Sequence, residues 1–510
     1  MGATEPGIAG DRSAGAPPDA EADRRTSARN ALKITAALGT TLTISFFVRV
    51  LIPRSLGPEG FGDFSFSEAF TTTVFVALSL GLDTFIYREV SRRPERASDF
   101  WGGTLVLRLA ISAALAGVVA LFLHASGRSA DVRSLVWLFA GVQLLTVVGA
   151  TFQTLLHARA TVDGLSLTSV GAKLVWAAGV ASAAALRAPA WAFVLPSLVS
   201  EGLRATVLWL LARRNLGLRF RVNVAETRRV VVESAPFYFN AIAVAVMQKL
   251  DVSILALRAP SSEVGFYGVA VTVSSIALLG VPVLGSVLFP FLSRAAARST
   301  DELDRLQAGI LELTVAGSVP VALALSLGAE PIVRLLFGAA FAPAAPALAI
   351  LAPMLVLTYA NVVWAISLNV LGRGWSTAMA TVGGIAVDAA LNLGLLPTAM
   401  AFLGRPGSGG VACSVFMVVS EATVVCLFVR ARGRRAALSS AVLSRFARTA
   451  GAAAIAVVTH LALAPLGPLR LVAAGVAYLA AAFALGALRR SDFDAAYALF
   501  GRRRGAARIT

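Results

Sequence analysis

Apolar positions in this chain do not alternate with polar ones at the period of a strand or a surface helix; they come in fourteen long runs joined by short polar connectors. The runs cover approximately residues 31–52, 64–87, 101–125, 134–157, 165–186, 190–212, 231–257, 264–292, 308–329, 347–371, 375–397, 409–429, 447–464 and 467–488. A helix needs about 20 residues to cross roughly 30 Å of hydrocarbon, and nearly every run has them. The pattern predicts an all-α polytopic membrane protein with about fourteen transmembrane helices.

Composition agrees: 57% of residues are hydrophobic and 14% charged, with mean hydropathy +0.77, against about a quarter charged in soluble domains. The net charge of +17 raises nucleic acid as a partner, but its distribution removes that reading. With a cytoplasmic N-terminus, 32 of the 45 Lys and Arg fall on cytoplasmic connectors and tails, eight on the other side and five inside runs. That positive-inside bias orients both termini to the cytoplasm and turns the basic charge toward anionic headgroups. No nucleic-acid partner is expected. Residues 1–30 read as a disordered cytoplasmic tail without a cleavable signal, and 489–510 as a basic cytoplasmic tail. Cys413 and Cys426 lie thirteen residues apart on one predicted helix, about 20 Å, and cannot pair.

Catalytic motifs fail on the rarest residues. Lys33, Lys173 and Lys249 each follow a residue other than Gly, so no P-loop is present, and none of His124, His157 and His460 precedes Glu. No GxSxG occurs, and no connector could fold as a catalytic domain. The chain reads as a non-enzyme with no catalytic residue, metal or cofactor, whose chemistry is transport within the helices.

An internal echo suggests the organisation. LGPEGFGDFSFSEAF (56–70) follows the first run and APSSEVGFYGVAVTVSS (259–275) follows the seventh; Gly62 with Phe64 matches Gly265 with Tyr267, 203 residues on. Six helices per repeat gives halves of equal topology related by an axis along the membrane normal. The expected domains are an N-lobe at 31–212, a basic cytoplasmic linker at 213–230, a C-lobe at 231–429, and a basic loop with two appended helices at 430–488. Gly62, Gly81, Gly265 and Pro236 read as turn or kink positions.

The stretch IPRSLGPEGFGDFSFSEAFTTTVFVALSLGLDTFIYREVSRRPERASDFWGGTLVLRL (52–109), with its LGPEGFG turn, GLDTFIYREV helix end and RRPER loop, resembles the N-terminal signature of the polysaccharide/O-antigen (Wzx-type) flippases of the multidrug/oligosaccharidyl-lipid/polysaccharide exporter superfamily. PIVRLLFGAAFAPAAPALAILAP (331–353) is similar to the short amphipathic segment those proteins place before helix 10. The resemblance implies a bacterial inner-membrane protein that carries a polyprenyl-diphosphate-linked oligosaccharide from the inner to the outer leaflet by alternating access. The product would serve a surface polysaccharide such as O-antigen, lipopolysaccharide or exopolysaccharide. It further implies a monomer beside the lipid bilayer, with a polysaccharide polymerase or ligase as candidate partners. A peptidoglycan-precursor flippase and an H⁺/Na⁺-coupled multidrug antiporter are the alternatives. The first run, with Lys33 and Arg49 and no carboxylate, argues against the antiporter, and the absence of a large outer loop with catalytic acids argues against a membrane glycosyltransferase.

Such a substrate needs cationic residues in a wet interior, and a cation at mid-bilayer costs roughly 2.5 to 3.5 kcal/mol unless it has a partner or water. Lys173 and Lys249 are the deepest and are the first candidates for diphosphate contacts, with Arg204 and Arg49 after them. Bland readings compete at each. Lys249 could form a structural pair between helices, Arg204 has Glu201 one turn back, and Arg49 could snorkel to the interface. Asp83 and Arg88 are candidates for a gate or for interfacial anchoring. Among the intramembrane acids Glu233, Asp251, Glu312, Asp388 and Glu421, Asp251 and Asp388 are candidates for coupling. Asp388 and Asn392 share a helix face, which favours a buried helix contact there.

Overall fold

The computed structural model describes residues 18–79, 90, 97–158, 163–218 and 220–489, and every regular element among them is a helix. Helix α1 (Pro18–Phe75) carries the first predicted run and the start of the second, broken where Gly57 takes φ 69° and Pro58 opens the second arm. There follow α2 (Ala97–Ala125), α3 (Ala130–Ala158), α4 (Asp163–Ala185), α5 (Leu195–Leu216), α6 (Val224–Arg258), α7 (Ser261–Ala277), α8 (Gly280–Arg298) and α9 (Thr300–Leu327). The chain continues through short α10 (Ala329–Phe337), α11 (Ala345–Val370), α12 (Gly374–Leu403), α13 (Ser408–Arg432), one-turn α14 (Arg434–Ala437), α15 (Ser440–Ala462) and α16 (Leu469–Ala484). Each predicted run is mostly helical where it is described, and ten helical stretches among the described residues are long and apolar enough to cross a membrane. This is an all-α, multi-pass membrane protein. Asp83, Arg88 and Gly81 lie outside the described residues.

Polar connectors start the helices they precede. Side-chain oxygens of Asn223, Ser299 and Ser439 accept the amides of Glu226, Glu302 and Val442, capping α6, α9 and α15. Helix α10 is the short amphipathic segment expected before the tenth run, with Val333 and Phe337 one turn apart and buried while Leu335 is exposed.

Two readings from sequence are corrected. The run 264–292 is not one helix: it breaks between Ala277 and Gly280. Pro282 has no amide to give Leu278, the Val281 amide goes to Leu278 instead, and the freed Ala277 carbonyl accepts the Tyr359 hydroxyl at 2.8 Å. Gly62 and Gly265, read as turn positions, lie inside helices. A Cβ on Gly62 would overlap the carbonyl oxygen of Ser261, and one on Gly265 would overlap that of Pro58. Each glycine therefore meets the backbone four residues before the other, and the two echoed segments pack on each other reciprocally. The Ser261 hydroxyl adds a 2.6 Å bond to Asp63.

That contact sits at the arginine-poor end of the bundle, where one apolar core runs through both halves of the chain. Phe341 wedges there between Phe61 and Phe266, at 6.3 and 6.4 Å. At the arginine-rich end the core divides. Phe152, Leu156 and Leu208 of the first half pack in one cluster, and Leu292, Leu311 and Trp364 of the second half in another. The halves thus share one core at one end, while at the other each keeps its own cluster and they meet locally, where Gly102 and Gly103 of α2 lie against the Arg221 backbone and the Thr227 side chain at the start of α6. Helices α15 and α16 lean on α9 through small residues, and a buried Arg445–Glu312 pair at 2.7 Å anchors them.

Candidate functional site

Four cations that stood alone in the sequence converge between α1, α4, α5 and α6. Counted from the arginine-poor helix ends at 1.5 Å per residue, Arg49, Lys173, Arg204 and Lys249 all lie about 12 to 18 Å in, near the middle of a bilayer. Arg204 Nη2 is 3.0 Å from Glu201 Oε2 one turn back on α5. Lys249 Nζ is 3.9 Å from Oε2 of Glu68, on the second arm of α1. Lys173 lies within electrostatic reach of Glu201, Arg204 and Arg49, and Glu68 within reach of Lys249 and Arg49, so the six groups form one chain of charges. Four cations against two carboxylates leave a net charge of +2.

The cluster is partly exposed and unsaturated. Glu68 and Lys249 keep 37% and 29% of their side-chain exposure. The ammonium of Lys173 sits 4.5 Å from the Trp176 ring centre, a cation–π contact that steadies it without neutralising it. Two buried donors, Arg204 Nε and Trp176 Nε1, have no hydrogen-bond partner among the described residues. One turn along α1 from Glu68, Thr72 accepts a 2.8 Å bond from Gln143 of α3 and extends the polar wall.

A second constellation lies in the other half. Asp251 of α6 accepts the Tyr267 hydroxyl at 2.7 Å, and Asn392 of α12 donates to Asp388 at 3.2 Å and to Asp251 at 3.5 Å. The Cys413 thiol completes the group with a 3.3 Å bond to Asn392. The Asp251 and Asp388 carboxyls share the Asn392 amide as a common donor. All five residues are buried. Asp251 therefore faces the acids of its own half, while its neighbour Lys249 faces Glu68.

The structure so arranged has known counterparts. A family profile described as polysaccharide biosynthesis protein matches residues 27–296, more than half of the chain. The chain belongs to the polysaccharide biosynthesis protein family. The matched stretch contains every member of the charge cluster and both echo glycines. The fold of this family member is similar to that of the lipid II flippase MurJ in an inward closed conformation, with a TM-score of 0.67 at 13% identity over 88% of this chain and 97% of that one. It is also similar to an inward-facing multidrug resistance MATE family transporter of the MOP superfamily, with a TM-score of 0.63 at 14% identity, covering 79% and 98%. A MOP superfamily transporter from Pyrococcus furiosus gives 0.54 at 14% identity, covering 82% and 97%. The curated proteins gave no match.

Sequence reasoning placed Lys173, Lys249, Arg204 and Arg49 as separate candidates, and the fold brings them to one depth in this polysaccharide biosynthesis protein. It passed over Glu68, whose signal was a lone carboxylate within FSFSEAFTTTVF. Tyr267 and Cys413, the neighbours of the acidic pair, carried no signal readable without the fold.

Proposed function

We propose that this protein is a lipid-linked oligosaccharide flippase, which moves polyprenyl-diphosphate-linked sugar repeats from the cytoplasmic to the outer leaflet of the bacterial inner membrane. The observation that supports this best is the mid-depth cluster with net charge +2, the complement of a diphosphodiester of two negative charges, lying between the two halves. A cluster of that sign repels the cationic substrates of a drug antiporter. Lys173 and Lys249 are point charges that can follow a phosphate as it turns, and the unpartnered donors of Arg204 and Trp176 are free for phosphate or sugar oxygens.

In this reading the chain crosses the membrane fourteen times with both termini cytoplasmic. The lobes at 31–212 and 231–429 rock about the cluster, opening the arginine-rich end to the cytoplasm in one state and the arginine-poor end to the outside in the other. The Asp251–Asp388 pair is the coupling element, since a buried proton or cation there alters how α6 packs on α12. The protein works as a monomer and hands its cargo to a polymerase or ligase.

The test is translocation of a polyprenyl-diphosphate oligosaccharide in proteoliposomes at matched amounts of folded protein. Lys173→Ala and Lys249→Ala each remove a charge-assisted contact worth about 1.5 to 3 kcal/mol, so each should slow translocation by about tenfold or more. Wild-type protein that moves no glycolipid but exchanges a cationic dye for protons would replace this reading with the antiporter.

A further inference from the structure

We infer that Glu68 is the substrate's internal rival, a carboxylate that holds the phosphate-binding cations while the site is empty and must be displaced when a diphosphate arrives. This rests on the flippase reading above. Glu68 reaches both Arg49 and Lys249, and it does so from the opposite half of the chain to Lys249. Its Oε2 stands 3.9 Å from Nζ, at the limit of an ion pair, and both side chains remain partly exposed. Such a contact is screened and readily exchanged. By contrast Glu201 is held 3.0 Å from Arg204 on its own helix, where no movement of the halves can separate them.

The two acids therefore differ in role. Glu201 fixes the Arg204 guanidinium, whereas Glu68 spans the two halves and competes for the same cations as an incoming phosphate. Bringing a dianion to Arg49 and Lys249 sets it against Glu68 by like-charge repulsion, so the carboxylate leaves and the mid-depth tie between α1 and α6 is exchanged for one made through the ligand. Selectivity follows as well. A monoanion gains too little from two cations to displace a resident carboxylate, and a diphosphate gains twice.

Equilibrium binding of geranylgeranyl diphosphate to the full-length protein in nanodiscs tests this, with inorganic pyrophosphate as competitor. Glu68→Gln keeps shape and removes the rival charge, so it should bind about tenfold more tightly than wild type, and Lys249→Ala more weakly. Glu68→Asp draws the carboxylate back and should fall between wild type and Gln, which keeps the test open if the Gln variant fails to fold. Wild-type binding with unchanged or weaker binding by both Glu68 variants would overturn the rivalry and leave the flippase reading intact. Absence of binding by wild type and every variant would sink the flippase reading, and this inference with it.

Discussion

Gly265→Val, and equally Gly62→Val, will force the arginine-poor face of the protein apart. At both positions the new side chain would meet a backbone carbonyl oxygen, of Pro58 or Ser261, which has no rotamer to escape into. Overpacking of a tight contact costs about 1 to 3 kcal/mol even where side chains can yield. The joined state should lose about tenfold or more in population, and translocation should fall with it. The readout is labelling of a Ser261→Cys reporter, in a Cys426→Ser background, by a membrane-impermeant maleimide. Labelling should rise in both valine variants and stay unchanged in Gly171→Ala, where an added Cβ meets nothing within 4 Å. Unchanged labelling in the valine variants would mean that the echo contact is not what closes this face.

Glu263→Ala should be the most destabilising single change at the same end. The Glu263 side chain is buried and accepts two backbone amides, of Gly407 at 2.7 Å and Gly409 at 2.8 Å, so a carboxylate from α7 caps the start of α13. Negative charge at a helix N-terminus is favourable, and here no residue of α13 supplies it. Alanine leaves two buried amides unpaired at about 1 to 3 kcal/mol each. The connector is packed closely against the Pro343 carbonyl, which a Cβ at Gly407 would overlap. Thermal unfolding in detergent should show a clear loss for Ala and a smaller one for Gln, which can still accept one bond. Equal stability of wild type and the Ala variant would show that water satisfies these amides.

The helices were legible because the bilayer imposes one length and one polarity on every crossing, so nothing beyond the apolar runs was needed to place them. The four cations were legible for the same reason, since a charge inside such a run is expensive. Their convergence was not, because Arg49 and Lys249 are 200 residues apart and helix order does not fix which faces meet. The echo was visible but misread. A glycine that permits a turn and one that lets two helices touch look alike in a sequence, and only the backbone separates Gly57, with its positive φ, from Gly62. The break in the run 264–292 was written in Gly280 and Pro282, but a proline inside a membrane helix is often accommodated, and here the Tyr359 hydroxyl that compensates comes from a distant helix.

The division of the core at one end and its continuity at the other also fix where the energy of alternation resides. In the proposed exchange of access, the rings of Phe61, Phe266 and Phe341 leave one another and meet water, whereas the clusters at the arginine-rich end, one in each half, keep their own packing. Wetting aromatic surface raises heat capacity. The balance between the two states is then a curved function of temperature: a cell that warms or cools by tens of degrees changes how much of this protein waits in each state without altering a single contact in the charge cluster.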